Sequence, residues 1–368
     1  MQLDRKTKSL EKALLMPPEN IISIIKNSGL EGRGGANFPT GQKWEFARKA
    51  KSGTKVLICN ADEGEPGTFK DRYIIMHNPD GLIEGIIIAS YALGATHSFM
   101  YLRKEYENLK SGLEAVISKY KTRLEDLKLS LEVFIGAGAY ICGDETAILN
   151  SLEGKRGEPR QKPPYPSDYG LFGYATVINN VETLANVPII LDGDWKQLRL
   201  FSVSGNVKSP GVYEFPLGTK AGELLQKANP QTDIKALYFG CSGGCVPYQS
   251  DLSLDFKTIH SRGASLSSCT VIAIDKNQSI PKVCKNIAEF FVEESCGKCV
   301  PCREGNLKIF EILENIDRGK GQQGDIEQLA SIGKYVDRFS LCGLGKSSNL
   351  YLLNSIKYFK EEFEEKCK

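Results

Sequence analysis

The pattern of apolar and polar positions changes character several times along the chain. Over residues 1–30 apolar and charged positions alternate without a strong motif, and Pro17-Pro18 breaks them into short helical pieces, so this stretch reads as a lead-in arm. From 31 to about 197, glycine-rich turns alternate with helical periodicity and with β-branched runs such as Val56-Leu57-Ile58 and Leu131-Glu132-Val133-Phe134-Ile135. Strands and helices taking turns in this way predict an α/β domain. The apolar run from Leu82 to Ala95 contains Glu84 and is shorter than the ~20 residues that cross a bilayer, so it reads as a buried helix.

Residues 198–279 read differently. Leu198-Arg199-Leu200-Phe201-Ser202-Val203 and Pro210-Gly211-Val212-Tyr213-Glu214-Phe215, joined through Gly205-Asn206, predict two strands and a turn, followed by a helix from Lys220 to Ala228 and further short strands. That order fits a small β-grasp (ubiquitin-like) α+β module. From Ile280 onward the period becomes helical: Val283, Ile287, Phe290 and Phe291, then Leu307, Phe310, Leu313 and Ile316, then Leu350, Leu353, Ile356, Phe359 and Phe363. Such stripes need partner helices, so residues 280–368 predict a helical bundle.

Composition narrows the function classes. A chain of 368 residues with 41% hydrophobic content can build two or three cores. Its 47 basic and 45 acidic residues nearly cancel to +2, which gives no broad footprint for nucleic acid or an anionic membrane. Met1 to Leu15 carries charges throughout and lacks the apolar core of a secretory signal, so a cytoplasmic protein is expected. Eleven cysteines in that compartment are not a disulfide scaffold, because thiols there stay reduced. Their spacing therefore decides what they do.

Cys296-Gly297-Lys298-Cys299-Val300-Pro301-Cys302 offers three thiols at a three-residue interval, and Cys342 follows forty positions later in Leu341-Cys342-Gly343-Leu344-Gly345. A tight loop delivering three thiolates, with a distant loop closing the fourth corner, suits a [4Fe-4S] cubane. Structural zinc also takes four cysteines, but usually as two separated pairs. Cys241 and Cys245, in Gly-Cys-Ser-Gly-Gly-Cys-Val, lack a second pair nearby and read as packing thiols. His77, His97 and His260 are scattered and read as structural.

Several loops suggest ligand chemistry. Gly32-Arg33-Gly34-Gly35-Ala36-Asn37-Phe38-Pro39-Thr40-Gly41-Gln42-Lys43 precedes a helix-like run; its glycines let backbone amides approach a phosphate or flat ring, and Lys43 adds a point charge. It lacks the ending of a P-loop and the spacing of a dinucleotide fingerprint, so a plain turn is the competing reading. Cys59-Asn60-Ala61-Asp62-Glu63-Gly64-Glu65-Pro66-Gly67-Thr68-Phe69-Lys70-Asp71-Arg72 follows a strand, where α/β domains place ligands, and three carboxylates within its first residues need donors such as nucleotide hydroxyls; an acidic solvated turn is the alternative. Gly138-Ala139-Tyr140-Ile141-Cys142-Gly143-Asp144-Glu145 again follows an apolar strand. Arg160-Gln161-Lys162-Pro163-Pro164-Tyr165 presents a base and an aromatic face, and Asn179-Asn180-Val181-Glu182-Thr183 closes the set.

Taken in order, these motifs resemble the NADH-binding flavoprotein subunit of respiratory complex I and its relatives in NAD-linked hydrogenases and formate dehydrogenases. The resemblance runs from Gly32 to Cys342, nearly the whole chain. It implies a Rossmann-like FMN and NADH domain over 31–197, a β-grasp domain over 198–279 and a C-terminal four-helix bundle over 280–368 whose Cys296, Cys299, Cys302 and Cys342 hold the [4Fe-4S] cluster. The loop with Gly32, Arg33, Gly34 and Gly35 is expected to contact both nucleotides, with Lys43 at the FMN phosphate. Asn60, Asp62, Gly143, Asp144, Asn179, Asn180 and Thr183 match FMN-holding positions, and Gly64 and Tyr140 lie in the same loops. Glu65 resembles the carboxylate near the nicotinamide amide, which makes it the candidate catalytic residue. Glu145 resembles the one that receives ribose hydroxyls of NAD(H) and repels the extra phosphate of NADPH. Phe38, Phe46 and Tyr165 are similar to the aromatics that sandwich adenine, and Lys162 to a base lining the cleft.

The implied activity is NADH dehydrogenase: hydride transfer from NADH to FMN, then single electrons to the cluster. The implied partners are a thioredoxin-like [2Fe-2S] subunit and a larger Fe–S subunit of the same complex, peripheral to the inner face of the cell membrane. Asn37 stands where the family has glycine, Asp144 shortens a glutamate and Tyr165 adds a hydroxyl to a phenylalanine. Two alternatives remain: the same chemistry serving a hydrogenase, formate dehydrogenase or electron-bifurcating partner, and a non-catalytic Fe–S assembly module with vestigial loops.

Overall fold

The computed structural model describes residues 1–4 and 8–368, so residues 5–7 of the expected arm lie outside the described residues. It divides into two compact units: Met1–Gly64 with Phe69–Gln197, and Glu65–Thr68 with Leu198–Lys368.

The first unit runs α1 (Ser9–Leu14), α2 (Pro18–Ser28), α3 (Thr40–Lys49), β1 (Lys55–Ala61), α4 (Lys70–His77), α5 (Pro79–Leu93), β2 (His97–Leu102), α6 (Lys110–Lys119), α7 (Lys121–Asp126), β3 (Ser130–Ile135), α8 (Ala147–Leu152), β4 (Ala175–Asn180) and α9 (Val181–Asp192). Its four strands form a parallel sheet in the order β3-β2-β1-β4. This is the mixed α/β architecture expected from the strand and helix alternation. Val56 to Cys59 of β1 are all buried, the continuous apolar run that a sheet covered on both faces requires.

Helix α5 is buried nearly all round, at Leu82, Ile83, Ile86, Ile87 and Ile88, which explains why its sequence shows no polar stripe. It crosses α9 so closely that a Cβ on Gly85 would lie 2.1 Å from the Leu184 carbonyl oxygen. Gly85→Ala must therefore push two helices apart, an overpacking cost of roughly 1–3 kcal/mol. Thermal unfolding is expected to show a clear drop in Tm for Gly85→Ala and none for Gly112→Ala in α6, where an added Cβ meets nothing within 4 Å. Equal Tm values for the two variants would contradict this packing.

Pro17 and Gly29, the latter at φ 73°, delimit α2. Helix α1 is tied to α9 by side chains: Ser9 Oγ donates to the Pro188 carbonyl at 2.6 Å and Lys12 Nζ to that of Leu191 at 2.6 Å.

The second unit continues with β5 (Leu198–Gly205), β6 (Gly211–Pro216), α10 (Ala221–Ala228), β7 (Ile234–Tyr238), β8 (Cys245–Pro247), α11 (Phe256–Ser261), β9 (Thr270–Asp275), α12 (Ile280–Glu294), α13 (Val300–Asp317), α14 (Asp325–Phe339), α15 (Gly343–Ser347) and α16 (Leu350–Glu364). Its sheet has the order β6-β5-β9-β7-β8. Strands β5 and β6 pair antiparallel as a hairpin, with Phe201 opposite Tyr213, while β5 and β9 are parallel. The amphipathic α10 buries Ala221, Leu224, Leu225 and Ala228 in the core shared with Phe201, Leu237 and Val271. Helices α12, α13, α14 and α16 each pack on the next, and α16 returns to α12. Short α15 sits on the path from α14 to α16.

Candidate functional site

In the first unit β2 and β3 lie to one side of β1 and β4 to the other. The chain thus reverses direction across the sheet between β1 and β4, the switch point where open α/β sheets open a crevice at their carboxyl ends. The register sets Asn60, near the end of β1, directly beside Asn180, the last residue of β4. Both predicted asparagines therefore reach the same crevice.

The glycine-rich loop closes over this point. Gly32 N–H donates to the Phe38 carbonyl at 2.9 Å and Thr40 N–H to that of Leu30 at 2.8 Å, which folds residues 30–40 back on themselves before α3 begins. Gly35 turns at φ 110° and Asn37 at φ 51°, the left-handed conformation that asparagine tolerates better than most residues. Arg33 N–H donates to Thr183 Oγ1 at 2.8 Å, and a Cβ on Gly34 would stand 3.4 Å from that of Asn180. The loop thus lies against the start of α9. Arg33 is only 4% exposed, yet its Nε and Nη1 have no hydrogen-bond partner among the described residues. A buried guanidinium with spare donors fits an anionic group such as a nucleotide phosphate.

Other predicted residues are organised around the same crevice. Asn60 Nδ2 donates to the Gly143 carbonyl at 2.9 Å, and Trp44 Nε1 donates to Asn179 Oδ1 at 2.8 Å. A Cβ on Gly143 would sit 3.1 Å from the Asp62 carbonyl oxygen, and one on Gly64 would sit 2.9 Å from the Tyr140 ring, so both glycines mark close approaches. Asp144 Oδ1 accepts from the N–H of Thr146 at 2.8 Å and of Ala147 at 3.1 Å, which spends that carboxylate oxygen on the start of α8. Phe38, Phe46 and Tyr165 remain 45%, 49% and 55% exposed, large apolar rings held in solvent.

Glu145 is gripped by two ammonium groups: Lys43 Nζ reaches Oε1 and Lys162 Nζ reaches Oε2, each at 2.5 Å. Lys43 also donates to the Ile178 carbonyl at 2.9 Å. Burial alone would raise the Glu145 carboxyl, but Lys43 and Lys162 override it and hold it at about 2. This contribution to stability is complete above the ordinary value of 4.5 and disappears as pH falls toward about 2.

Glu63 shows the opposite behaviour. Its carboxylate accepts from the N–H of Asp71 at 2.8 Å and of Arg72 at 3.0 Å, yet burial, followed by the negative charge of Asp71, pushes it up to about 7. Between the ordinary 4.5 and about 7 the folded chain holds a proton that the unfolded chain releases, so stability falls as pH rises through that window. Melting curves are expected to show this loss in the parent chain and a flatter profile in Glu63→Gln; identical slopes would exclude Glu63 as the source.

Lys70, Asp71 and Glu182 stand within loops that the sequence marks without assigning them a role; the structure makes them a buried ionic group beside Asn180: Lys70 Nζ lies 2.7 Å from Asp71 Oδ1 and 3.1 Å from Glu182 Oε2. Lys70 and Asp71 are neighbours at the start of α4, and the packing of α4 on α9 brings Glu182 to them.

Glu65 belongs to the second unit. Its Oε1 accepts from the Ser242 N–H at 3.1 Å and from the Ser242 hydroxyl, and its Oε2 accepts from Ser268 Oγ at 2.9 Å. The glycine-rich turn expected merely to pack cysteines is thus the cradle of this carboxylate, with a Cβ on Gly240 excluded at 2.5 Å from Oε1. Burial, and then the charge of Glu65, raise the Cys241 thiol.

The four predicted cluster thiols also lie in the second unit. Cys299 is the N-cap residue of α13, Cys302 lies in its first turn and Cys342 is the N-cap residue of α15. Gly345 of α15 abuts α13, where its Cβ would stand 3.3 Å from that of Cys302. Burial raises the Cys302 thiol, and the nearby Cys299 and Cys296 add to the rise. No three His, Cys, Asp or Glu side chains among the described residues converge tightly enough to hold a metal ion. The donor set nonetheless fits an iron–sulfur cluster: four thiols from two adjoining helix starts, three of them on one loop.

Residues 25–189 match the model of the Nuo51 FMN-binding domain, and residues 282–366 match that of the NADH-ubiquinone oxidoreductase-F iron-sulfur binding region. The F subunit of NADH-quinone oxidoreductase from Streptomyces coelicolor is 41% identical over 97% of this chain and 85% of its own length. Its counterpart from Aquifex aeolicus is 42% identical over 97% of this chain and 88% of its own. Among solved structures, a chain of NAD+-reducing [NiFe]-hydrogenase in the H2-reduced state superposes with a TM-score of 0.90 at 37% identity, over 99% of this chain and 68% of that one.

Proposed function

The chain belongs to the family of the NADH-quinone oxidoreductase F subunit, and from that premise we propose how its residues carry out the oxidation of NADH. It is an oxidoreductase flavoprotein subunit with an FMN-binding domain and a [4Fe-4S] domain. When bound, FMN accepts a hydride from NADH as an electron pair and releases the electrons singly to the cluster.

The chain's own residues orient and select. Lys43, whose Nζ also holds Glu145, is the expected charge at the FMN phosphate, and Arg33, buried with unused donors, adds a second, while the backbone of Gly32, Gly34 and Gly35 leaves room for the nucleotide. Asn60, Asp62, Gly143, Asp144, Asn179, Asn180 and Thr183 frame the flavin, with Gly64 and Tyr140 beside them. Glu145 accepts the ribose hydroxyls of NADH; its carboxylate disfavours a 2′-phosphate at that place and keeps Lys43 and Lys162 engaged, and so selects NADH over NADPH. Phe38, Phe46 and Tyr165 offer stacking faces for adenine. Glu65, held by Ser242 and Ser268, presents its carboxylate to the nicotinamide amide. Cys296, Cys299, Cys302 and Cys342 ligate the cluster.

The observation that carries this reading is the meeting of the glycine-rich loop, Asn60 and Asn180 at the β1/β4 switch point. The second unit divides into a β-grasp module over 198–279 and a four-helix bundle over 280–368. A thioredoxin-like [2Fe-2S] subunit and a larger Fe–S subunit receive the electrons, and they hold the chain on the cytoplasmic face of the membrane. None of the helices in the described residues is long and apolar enough to cross a membrane. The hydrogenase neighbour favours one second reading, the same module serving a hydrogenase. Subunits that co-purify with the chain separate the two. The test of the activity is anaerobic addition of nucleotide to the flavin-loaded chain: NADH bleaches the flavin band and NADPH does not. A chain that takes up no FMN would overturn the reading.

A further inference from the structure

Beneath the crevice lies a buried group of five ionisable side chains that the redox chemistry does not use directly: Arg33, Glu63, Lys70, Asp71 and Glu182, exposed by 4%, 5%, 1%, 3% and 2%. With all five charged, two cations face three carboxylates. A surplus carboxylate in a dry interior is costly, so how the cations share the anions has functional consequences.

Lys70 stands at the centre of that sharing. Its Nζ lies 2.7 Å from Asp71 Oδ1, 3.1 Å from Glu182 Oε2 and 3.3 Å from Asn180 Oδ1. Asn180 Oδ1 meanwhile caps α9 by accepting from Glu182 N–H at 2.9 Å, and its Nδ2 donates to Asp71. Lys70 thus fixes the start of α9, with its N-cap Asn180 and first-turn Thr183, against the start of α4. The other oxygen of Glu182, Oε1, is 3.9 Å from Arg33 Nε. That is too long for a hydrogen bond but close enough for attraction. Glu182 is held between two cations, nearer to Lys70, and this leaves Arg33 Nε and Nη1 without hydrogen-bond partners among the described residues.

We propose that Lys70 is a positioning residue for the flavin nucleotide: by holding Glu182 away from Arg33, it keeps the buried guanidinium available to a phosphate monoester. The inference rests on the FMN reading above and adds to it the reason Arg33 stays uncommitted. Removing the ammonium frees Glu182 to swing onto Arg33 and neutralise it, so the site loses its preference for a phosphorylated flavin. Removing the Glu182 charge as well restores that preference.

The test measures dissociation constants of the flavin-stripped full chain for FMN and for riboflavin, which lacks the phosphate. The parent chain prefers FMN. In Lys70→Met the FMN constant is expected to rise by about tenfold or more, the scale of a lost charge-assisted contact, while the riboflavin constant stays within roughly twofold. In the charge-balanced Lys70→Met/Glu182→Gln variant, FMN binding returns to within about threefold of the parent. A structural role for Lys70 would weaken both flavins together and show no rescue, and either result overturns the proposal. If Lys70→Met does not fold, the double variant decides alone: it must prefer FMN over riboflavin as the parent does, and loss of that preference or failure to fold overturns the proposal. A parent chain that binds neither flavin would instead sink the FMN reading itself.

Discussion

Cys342→Ala is expected to leave a chain that still binds FMN and is still bleached by NADH but carries no [4Fe-4S] cluster, so that electrons enter and do not leave. The expectation follows from where the thiols lie. Cys299 and Cys302 share the start of α13, and Cys296 precedes them on the same loop, whereas Cys342 comes from the start of α15. A cubane held by three thiolates from one loop has an open corner, and Cys342, at the start of the helix whose Gly345 packs against Cys302, is the residue proposed to close it. Loss should be near complete in iron content and in electron transfer to a partner. Flavin content and the rate of flavin bleaching should stay near the parent values, since the FMN-binding region lies in residues 25–189. Full iron and a normal paramagnetic signal in Cys342→Ala would remove Cys342 from the ligand set. A simultaneous loss of flavin would mean that the two cofactors do not assemble independently.

The second large effect is expected for Glu145→Gln. In the parent, Lys43 and Lys162 hold the carboxyl at about 2, so it is fully charged at neutral pH and its acceptor oxygens are fixed in place. The amide keeps one acceptor, introduces a donor that faces an ammonium, and removes the carboxylate that engages Lys43 and Lys162, which leaves two ammonium groups for a 2′-phosphate. Loss of hydrogen bonding to a charged acceptor corresponds to roughly ten- to a hundredfold in affinity. The KM for NADH should rise by that order with kcat changed much less, the mark of an interaction made equally in the ground and transition states. The preference for NADH over NADPH should shrink at the same time. Steady-state kinetics with both nucleotides decide it, and an unchanged KM with unchanged preference would mean that Glu145 does not face the ribose.

Much of this organisation is visible in the sequence because it is written in short patterns. The β-branched runs around Leu57 and Val133 become β1 and β3 of the parallel sheet, and the first of them carries Asn60 near its carboxyl end. The spacing of Cys296, Cys299 and Cys302 needs only a loop and a helix start to make chemical sense, and α13 supplies the start. What the sequence hides are relations between distant segments. Lys70 meets Glu182 where α4 packs on α9, and neither residue sits in a pattern that marks it as buried. Glu65 finds Ser242 and Ser268 from far along the chain, so a glycine-rich turn that reads locally as packing becomes a carboxylate cradle. Asp144 sits in a ligand-like motif, yet one of its oxygens is committed to the start of α8. The burial of Arg33 is equally unreadable locally, since an arginine between glycines looks like an exposed turn residue until the loop folds onto Thr183.

One chain takes an electron pair from NADH and passes it on through a single cluster, and the most direct test is anaerobic titration of the cofactor-loaded chain with NADH. Flavin absorbance and electron paramagnetic resonance are followed in the same sample. The flavin band is expected to bleach while the signal of one reduced [4Fe-4S] cluster per chain grows with it. A flavin that bleaches with no iron–sulfur signal, or a colourless chain whose four thiolates hold zinc, would contradict this electron path.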